Sequence, residues 1–99
     1  MTAEERENNL IASHGCQICR RLGYGITPAN IHHVRRCGGK RKYAPKTGLC
    51  KIHHQDGPFA VHRGRITFEK HYNVTEWDLA EEAKQLLLAH GMTPTWEKK

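Results

Sequence analysis

No stretch of this chain is apolar for long, and none approaches the length needed to cross a membrane. The start also lacks the apolar core of an export signal, since Thr2-Ala3-Glu4-Glu5-Arg6-Glu7 is dominated by acids. The expected setting is therefore the cytoplasm, with thiols kept reduced. Apolar residues make up only 37% of 99 positions, and aromatic residues only 7%. A chain so short and so poor in bulky side chains buries a modest core, and such domains usually need a covalent or metal staple. Repeats, low-complexity segments and internal domain boundaries are all missing, so residues 1–99 are read as a single domain.

Cysteine and histidine are comparatively abundant, with four of the first and eight of the second. In a reducing compartment, cysteines set among histidines favour zinc over disulfides. Charge is also unevenly spread. The formal net charge is +6, and the segment from Arg35 to Lys46 holds Arg35, Arg36, Lys40, Arg41, Lys42 and Lys46 with no acid among them. A basic segment between acid-rich ends suits a polyanionic partner, against the plainer alternative of a solvated loop.

Local signals place a short helix over 2–12, with Thr2 as N-cap, acids in the first turn and Leu10-Ile11 as its apolar end. His14-Gly15 ends it. Ala29 to Val34 reads as a short strand, and a weakly written second strand runs from Lys46 to Cys50. Asp56-Gly57-Pro58 marks a turn. Ile66, Phe68 and Tyr72 share a face of a short helix over 65–72. A last helix, about 75–90, is capped by Thr75 with Asp78 three residues on. Trp77, Ala80, Ala83, Leu87 and Leu88 repeat along it at helical spacing, and Gly91 stops it.

Two knuckles carry the clearest chemistry. Cys16-Gln-Ile-Cys19 and Cys50-Lys-Ile-His53 share ligand-x-x-ligand spacing across thirty intervening residues. Two residues between ligands let one tight turn aim both side chains at one ion, and two such turns complete a tetrahedron. Cys37 has no spaced partner and reads as a free thiol. Adjacent residues on a strand face opposite ways, so His32 and His33 cannot serve one ion in the same role. With His53 spent on the knuckle, His54 is free to join His62 and His32 in a three-histidine site that leaves positions open for water and a phosphate oxygen. Glu69 is a candidate acceptor for one of these imidazoles. His14, His71 and His90 belong to no such set, and His90 suits the dipole at the end of the last helix.

Taken together, Cys16-x-x-Cys19, Ile31-His32-His33, Leu49-Cys50-x-x-His53-His54-Gln55, Val61-His62-x-Gly64 and Phe68-Glu69-x-x-Tyr72 resemble the Ref-like branch of HNH endonucleases, known from phage recombination-enhancement proteins. The resemblance spans roughly residues 14–73. It implies an α+β fold: a small zinc-stabilised ββα-metal domain flanked by N- and C-terminal helices. It further implies a structural Zn²⁺ on Cys16, Cys19, Cys50 and His53. A second divalent ion (Mg²⁺, Mn²⁺, Ni²⁺ or Zn²⁺) would sit on His32, His54 and His62, with His33 as general base. DNA is the implied substrate, held by Arg35, Arg36, Lys40, Arg41 and Lys42, and a recombinase filament is a partner by analogy. Between His33 and Cys50 there is no Asn. The residue that orients the base in many members thus has no counterpart, and a backbone carbonyl is the expected substitute. Two other classes compete: a non-catalytic zinc module, and an adaptor whose last helix docks a partner through Trp77 and Trp96.

Overall fold

The computed structural model describes residues 1–34 and 44–97. Arg35, Arg36, Lys40, Arg41 and Lys42, and with them Cys37, lie outside the described residues. Among the described residues, four α-helices and two strands follow one another as α1 (Ala3–His14), α2 (Gln17–Arg21), β1 (Asn30–His33), β2 (Lys46–Leu49), α3 (Arg65–Tyr72) and α4 (Glu76–Ala89). A π-helical turn, Ile52–Asp56, and a 3-10 turn, Val61–Arg63, lie between β2 and α3, and a second 3-10 turn, Thr95–Glu97, follows α4. The class is α+β. No helix among the described residues is long and apolar enough to cross a membrane.

Both helix starts written in the sequence are made by reciprocal caps. Thr2 Oγ1 accepts from Glu5 N while Thr2 N donates to Glu5 Oε1, and Thr75 and Asp78 repeat the arrangement at α4. Helix α1 runs two residues past its expected end. It stops at Gly15, whose φ of +94° is left-handed and where a Cβ would stand 3.0 Å from Thr27 O. That close approach lets Cys16 N donate to Thr27 O, which sets the entry to the first knuckle.

The strands pair antiparallel with Asn30 opposite Leu49 and His33 opposite Lys46. One core lies on the knuckle side, built from Ile18, Leu49, Val61, Phe68, Val74 and Leu79 around the cysteines. A second lies between α1 and α4, where Ile11, Ala83, Leu87 and Trp96 meet. The buried stripe of α4 is Leu79, Ala80, Ala83 and Leu87, while Trp77 and Leu88 are exposed. Ala80, Ala83 and Leu87 lie on the face that helical spacing predicts, and Leu79 completes it in place of Trp77 and Leu88. In α3, Phe68 is fully buried and Ile66 points outward. Trp96 is buried in the second core and so offers no docking anchor.

Lys46 closes the basic segment in the sequence but is turned inward and is 2% exposed. Its Nζ lies 2.7 Å from Glu7 Oε2, 2.9 Å from Asn8 Oδ1 and 3.1 Å from Glu4 Oε2. Glu7 also accepts from Thr95 N and Thr95 Oγ1, each at 2.7 Å. This cluster ties β2 to α1 and to the C-terminal turn. Removing one partner of a buried pair strands the other charge at about 3–5 kcal/mol, whereas removing both can be neutral. Lys46→Met should therefore lower the urea midpoint by that much stability, and adding Glu7→Leu should restore most of it. A Lys46→Met protein within about 1 kcal/mol of wild type would show that the cluster does not hold the fold.

Candidate metal centres

The first centre is a buried set of four: Cys16, Cys19, Cys50 and His53. Cys16 caps α2, its Sγ accepting from Cys19 N at 3.4 Å, and the same short helix turns Cys19 back toward the same point. Across the core, Cys50 leaves β2 and His53 sits one turn later, so the second knuckle faces the first. His53 Nδ1 lies 3.5 Å from Cys16 Sγ, 3.5 Å from Cys19 Sγ and 3.2 Å from Cys50 Sγ, and Cys19 Sγ is 3.8 Å from Cys50 Sγ. A tetrahedral zinc with Zn–S near 2.3 Å and Zn–N near 2.0–2.1 Å needs S···S of about 3.8 Å and S···N of about 3.6 Å. The spacings match such an ion, and the donors are those that structural zinc takes. Tyr72 stands edge-on to His53, ring centroids 5.3 Å apart, and covers the site from α3.

Burial pushes the Cys16 thiol up to about 12 and holds the His53 imidazole below its ordinary value. The histidine thus offers a free lone pair at neutral pH, while the thiols must give up protons to an incoming ion. Zinc affinity at this centre accordingly falls as the medium is acidified.

The second set is His32, His54 and His62, whose ligand atoms all lie within 4.8 Å of one another. Three elements supply it. His32 comes from β1, on the face opposite to His33 by strand alternation. His54 comes from the π-helical turn and His62 from the 3-10 turn that follows. Neighbouring residues on a helical turn project in different directions, which is why His53 enters one set and His54 the other. The chain can leave the π-turn only through glycine, because a Cβ at Gly57 would stand 2.7 Å from Ile52 O.

His54 Nε2 and His62 Nε2 face each other at 2.9 Å, and the His32 ring centroid is 5.2 Å from each of the other two. His54 Nδ1 is buried with no hydrogen-bond partner among the described residues. Burial, assisted by the neighbouring His32 and His62 rings, pushes His54 down to about 4, and burial likewise lowers His62. These two rings are neutral near pH 7. Neutral imidazoles converging on one point are a donor set suited to a divalent cation of the zinc, nickel or copper type.

His33 ends β1, half-buried and opposite Lys46, and stands outside the three-histidine set. Glu69 accepts from Glu76 N at 2.7 Å, and it is Glu76 whose carboxylate reaches an imidazole, with Oε2 2.6 Å from His32 Nε2. Sequence reasoning missed Glu76, an acid in the first turn of a helix where a dipole partner is expected. It also missed Gln17. The Gln17 amide donates to Leu79 O at 2.7 Å and its oxygen accepts from Gly48 N at 2.8 Å, which locks the first knuckle to β2 and α4.

Structural zinc in small peptides binds with an apparent energy of about 10–16 kcal/mol. That matches or exceeds the whole stability of an ordinary domain, about 5–15 kcal/mol. Cys16→Ser and Cys50→Ser should therefore lose zinc and the cooperative melting transition together, and a strong chelator should do the same to wild type. Full helical circular dichroism and an unchanged melt after demonstrated zinc removal would contradict this. Comparison of the chain with protein-family models, curated proteins and solved structures finds no match, so the two centres are read from their own chemistry.

Proposed function

We propose that the protein is a metal-dependent DNA endonuclease that hydrolyses phosphodiester bonds in the HNH manner. In this reading β1, β2 and the helical turns after them are a ββα-metal core. The knuckle ion is a structural Zn²⁺ and the three histidines hold a second divalent cation. The observation that carries the reading is the convergence of His32, His54 and His62 beside a separate buried four-residue knuckle. A non-catalytic zinc module needs only the knuckle and has no use for a second set of neutral imidazoles. A reducing cytoplasm suits the free thiols of the knuckle.

His33 takes the role of general base. It removes a proton from a water molecule, whose oxygen attacks phosphorus in line with the departing 3′ oxygen; the P–O3′ bond breaks and the leaving oxygen takes a proton from solvent, giving a 5′ phosphate and a 3′ hydroxyl. A bound divalent ion supplies Lewis-acid stabilisation of the charge that develops on the phosphate oxygens. His32, His54 and His62 fix the point where that charge develops, and His33 follows His32 directly at the end of β1. Arg35, Arg36, Lys40, Arg41 and Lys42 follow His33 closely in the sequence and contact the flanking phosphates. A recombinase filament that presents the DNA is the partner suggested by the Ref-like motif.

Plasmid nicking with added divalent metal tests the assignment. His33→Ala should abolish cleavage with zinc content and DNA affinity nearly unchanged, because the base acts only in the chemical step. His32→Ala, His54→Ala and His62→Ala should instead lose the second ion, with partial rescue by excess metal. If scrupulously purified wild type never cuts with any metal, the protein is a binding module. Replacing the five basic residues with neutral ones should weaken binding to all sequences alike and flatten the dependence of log K on log salt by roughly 0.9 for each phosphate no longer neutralised. An unchanged slope would show that they do not touch DNA.

A further inference from the structure

The carboxylate of Glu76 sits 2.6 Å from His32 Nε2, and both side chains are nearly fully buried, at 6% and 8% exposed. Glu76 opens α4 directly after its cap, Thr75, and its backbone N–H is held by Glu69 Oε2 at 2.7 Å. Glu69 in turn is bridged by Arg65, one turn earlier on α3. A chain of contacts therefore runs from α3 through the start of α4 to a ring on β1, joining residues 44 positions apart. Such an arrangement is costly unless used. A buried carboxylate requires a partner, and here that partner is one of three imidazoles gathered at one point.

We propose that Glu76 is the positioning residue of the three-histidine centre: it accepts the Nε2–H of His32, so that Nδ1 carries the lone pair offered to the cation. The proposal rests on the metal-centre reading of His32, His54 and His62. A neutral imidazole has one N–H and one lone pair, and the hydrogen bond made by one nitrogen decides which the other presents. A carboxylate in that place also makes the ring a stronger electron donor, and loss of such a partner typically weakens metal binding by about 10–100-fold. Glu76 adds the negative charge that neutral imidazoles lack. It thereby favours a divalent ion over none without occupying a coordination position, and room remains for water and a phosphate oxygen.

The test uses the zinc-loaded full chain. Long-range ¹H–¹⁵N spectra of wild type, taken before any second metal is added, should show His32 as the Nε2–H tautomer. Calorimetric titration with Ni²⁺ alone should then show one further site, weakened on the order of tenfold in Glu76→Gln. Knuckle zinc and circular dichroism should be unchanged in that variant, because Gln fills the same volume. A His32 ring protonated on Nδ1 would overturn the proposal and make Glu76 a direct ligand or a bystander. So would a Glu76→Gln protein that binds Ni²⁺ as tightly as wild type while His54→Ala does not, an outcome that leaves the metal centre standing. A wild type that takes up no second ion overturns the centre and the positioning role together.

Discussion

The structure depends on one short turn, Cys50 to His54, in which two neighbouring histidines must serve two different points. His53 reaches back to the cysteines and His54 reaches forward to His32 and His62. An ion at the knuckle would do more than hold a small core together. By fixing His53 it would fix the rotation of the turn, and so the direction of His54. The hydrogen bond from His54 N to Cys50 O, at 2.8 Å, and that from Gly57 N to Ile52 O set the turn's width. A helix of ordinary pitch would give the same neighbours a different separation, and π-turns recur where such a displacement is used. The two centres are thus mechanically coupled through a single peptide unit.

Helix α4 then closes the arrangement from the far side. Its first turn brings Glu76 to His32, its second buries Leu79 in the knuckle core, and its last packs Ala83 and Leu87 against α1. Gln17 holds the carbonyl of Leu79, and the exposed pair of Arg21 with Glu82 adds little beyond orientation. On the opposite face the Lys46 cluster fastens β2 to α1. The two-stranded sheet is too small to be stable alone, and these attachments keep its register fixed. Slippage by one residue would exchange His32 and His33 between faces.

What was legible in the sequence was what is local. The ligand-x-x-ligand pairs, the N-caps Thr2 and Thr75, and the helices over 65–72 and beyond Thr75 each depend on contacts within four residues, and they lie where spacing put them. The separation of His32 from His33 followed from strand alternation alone. The rest required tertiary placement. Strand β2 was weakly written because Lys-Thr-Gly-Leu is buried at every position and so shows no alternation. Lys46 read as one more surface cation, since nothing near it in sequence reveals the acids of α1 waiting 39 and 42 residues away. On α4 the expected Ala80, Ala83 and Leu87 are buried, but Trp77 was counted with them for its bulk, whereas the fold buries Glu76 and Leu79 in that first turn. A polar residue on a buried stripe is invisible to hydrophobic periodicity.

The charge balance at the three-histidine set links its geometry to the partner it suits. Sites built from several carboxylates cancel the charge of the ion they bind and leave a neutral or negative surface. Here burial lowers His54 and His62, and Glu76 brings a carboxylate into contact with His32. A divalent ion placed among these rings would therefore keep much of its positive charge, in a chain already carrying +6. Local potentials of that sign draw anionic ligands and hold phosphate oxygens more firmly than a carboxylate-rich site of equal affinity for metal. The same economy explains how so small a core could serve. With an ion at the knuckle contributing stability, His32, His54 and His62 are left to be chosen for what they hold, while Ile31 and Val61 on the same elements pack the cores.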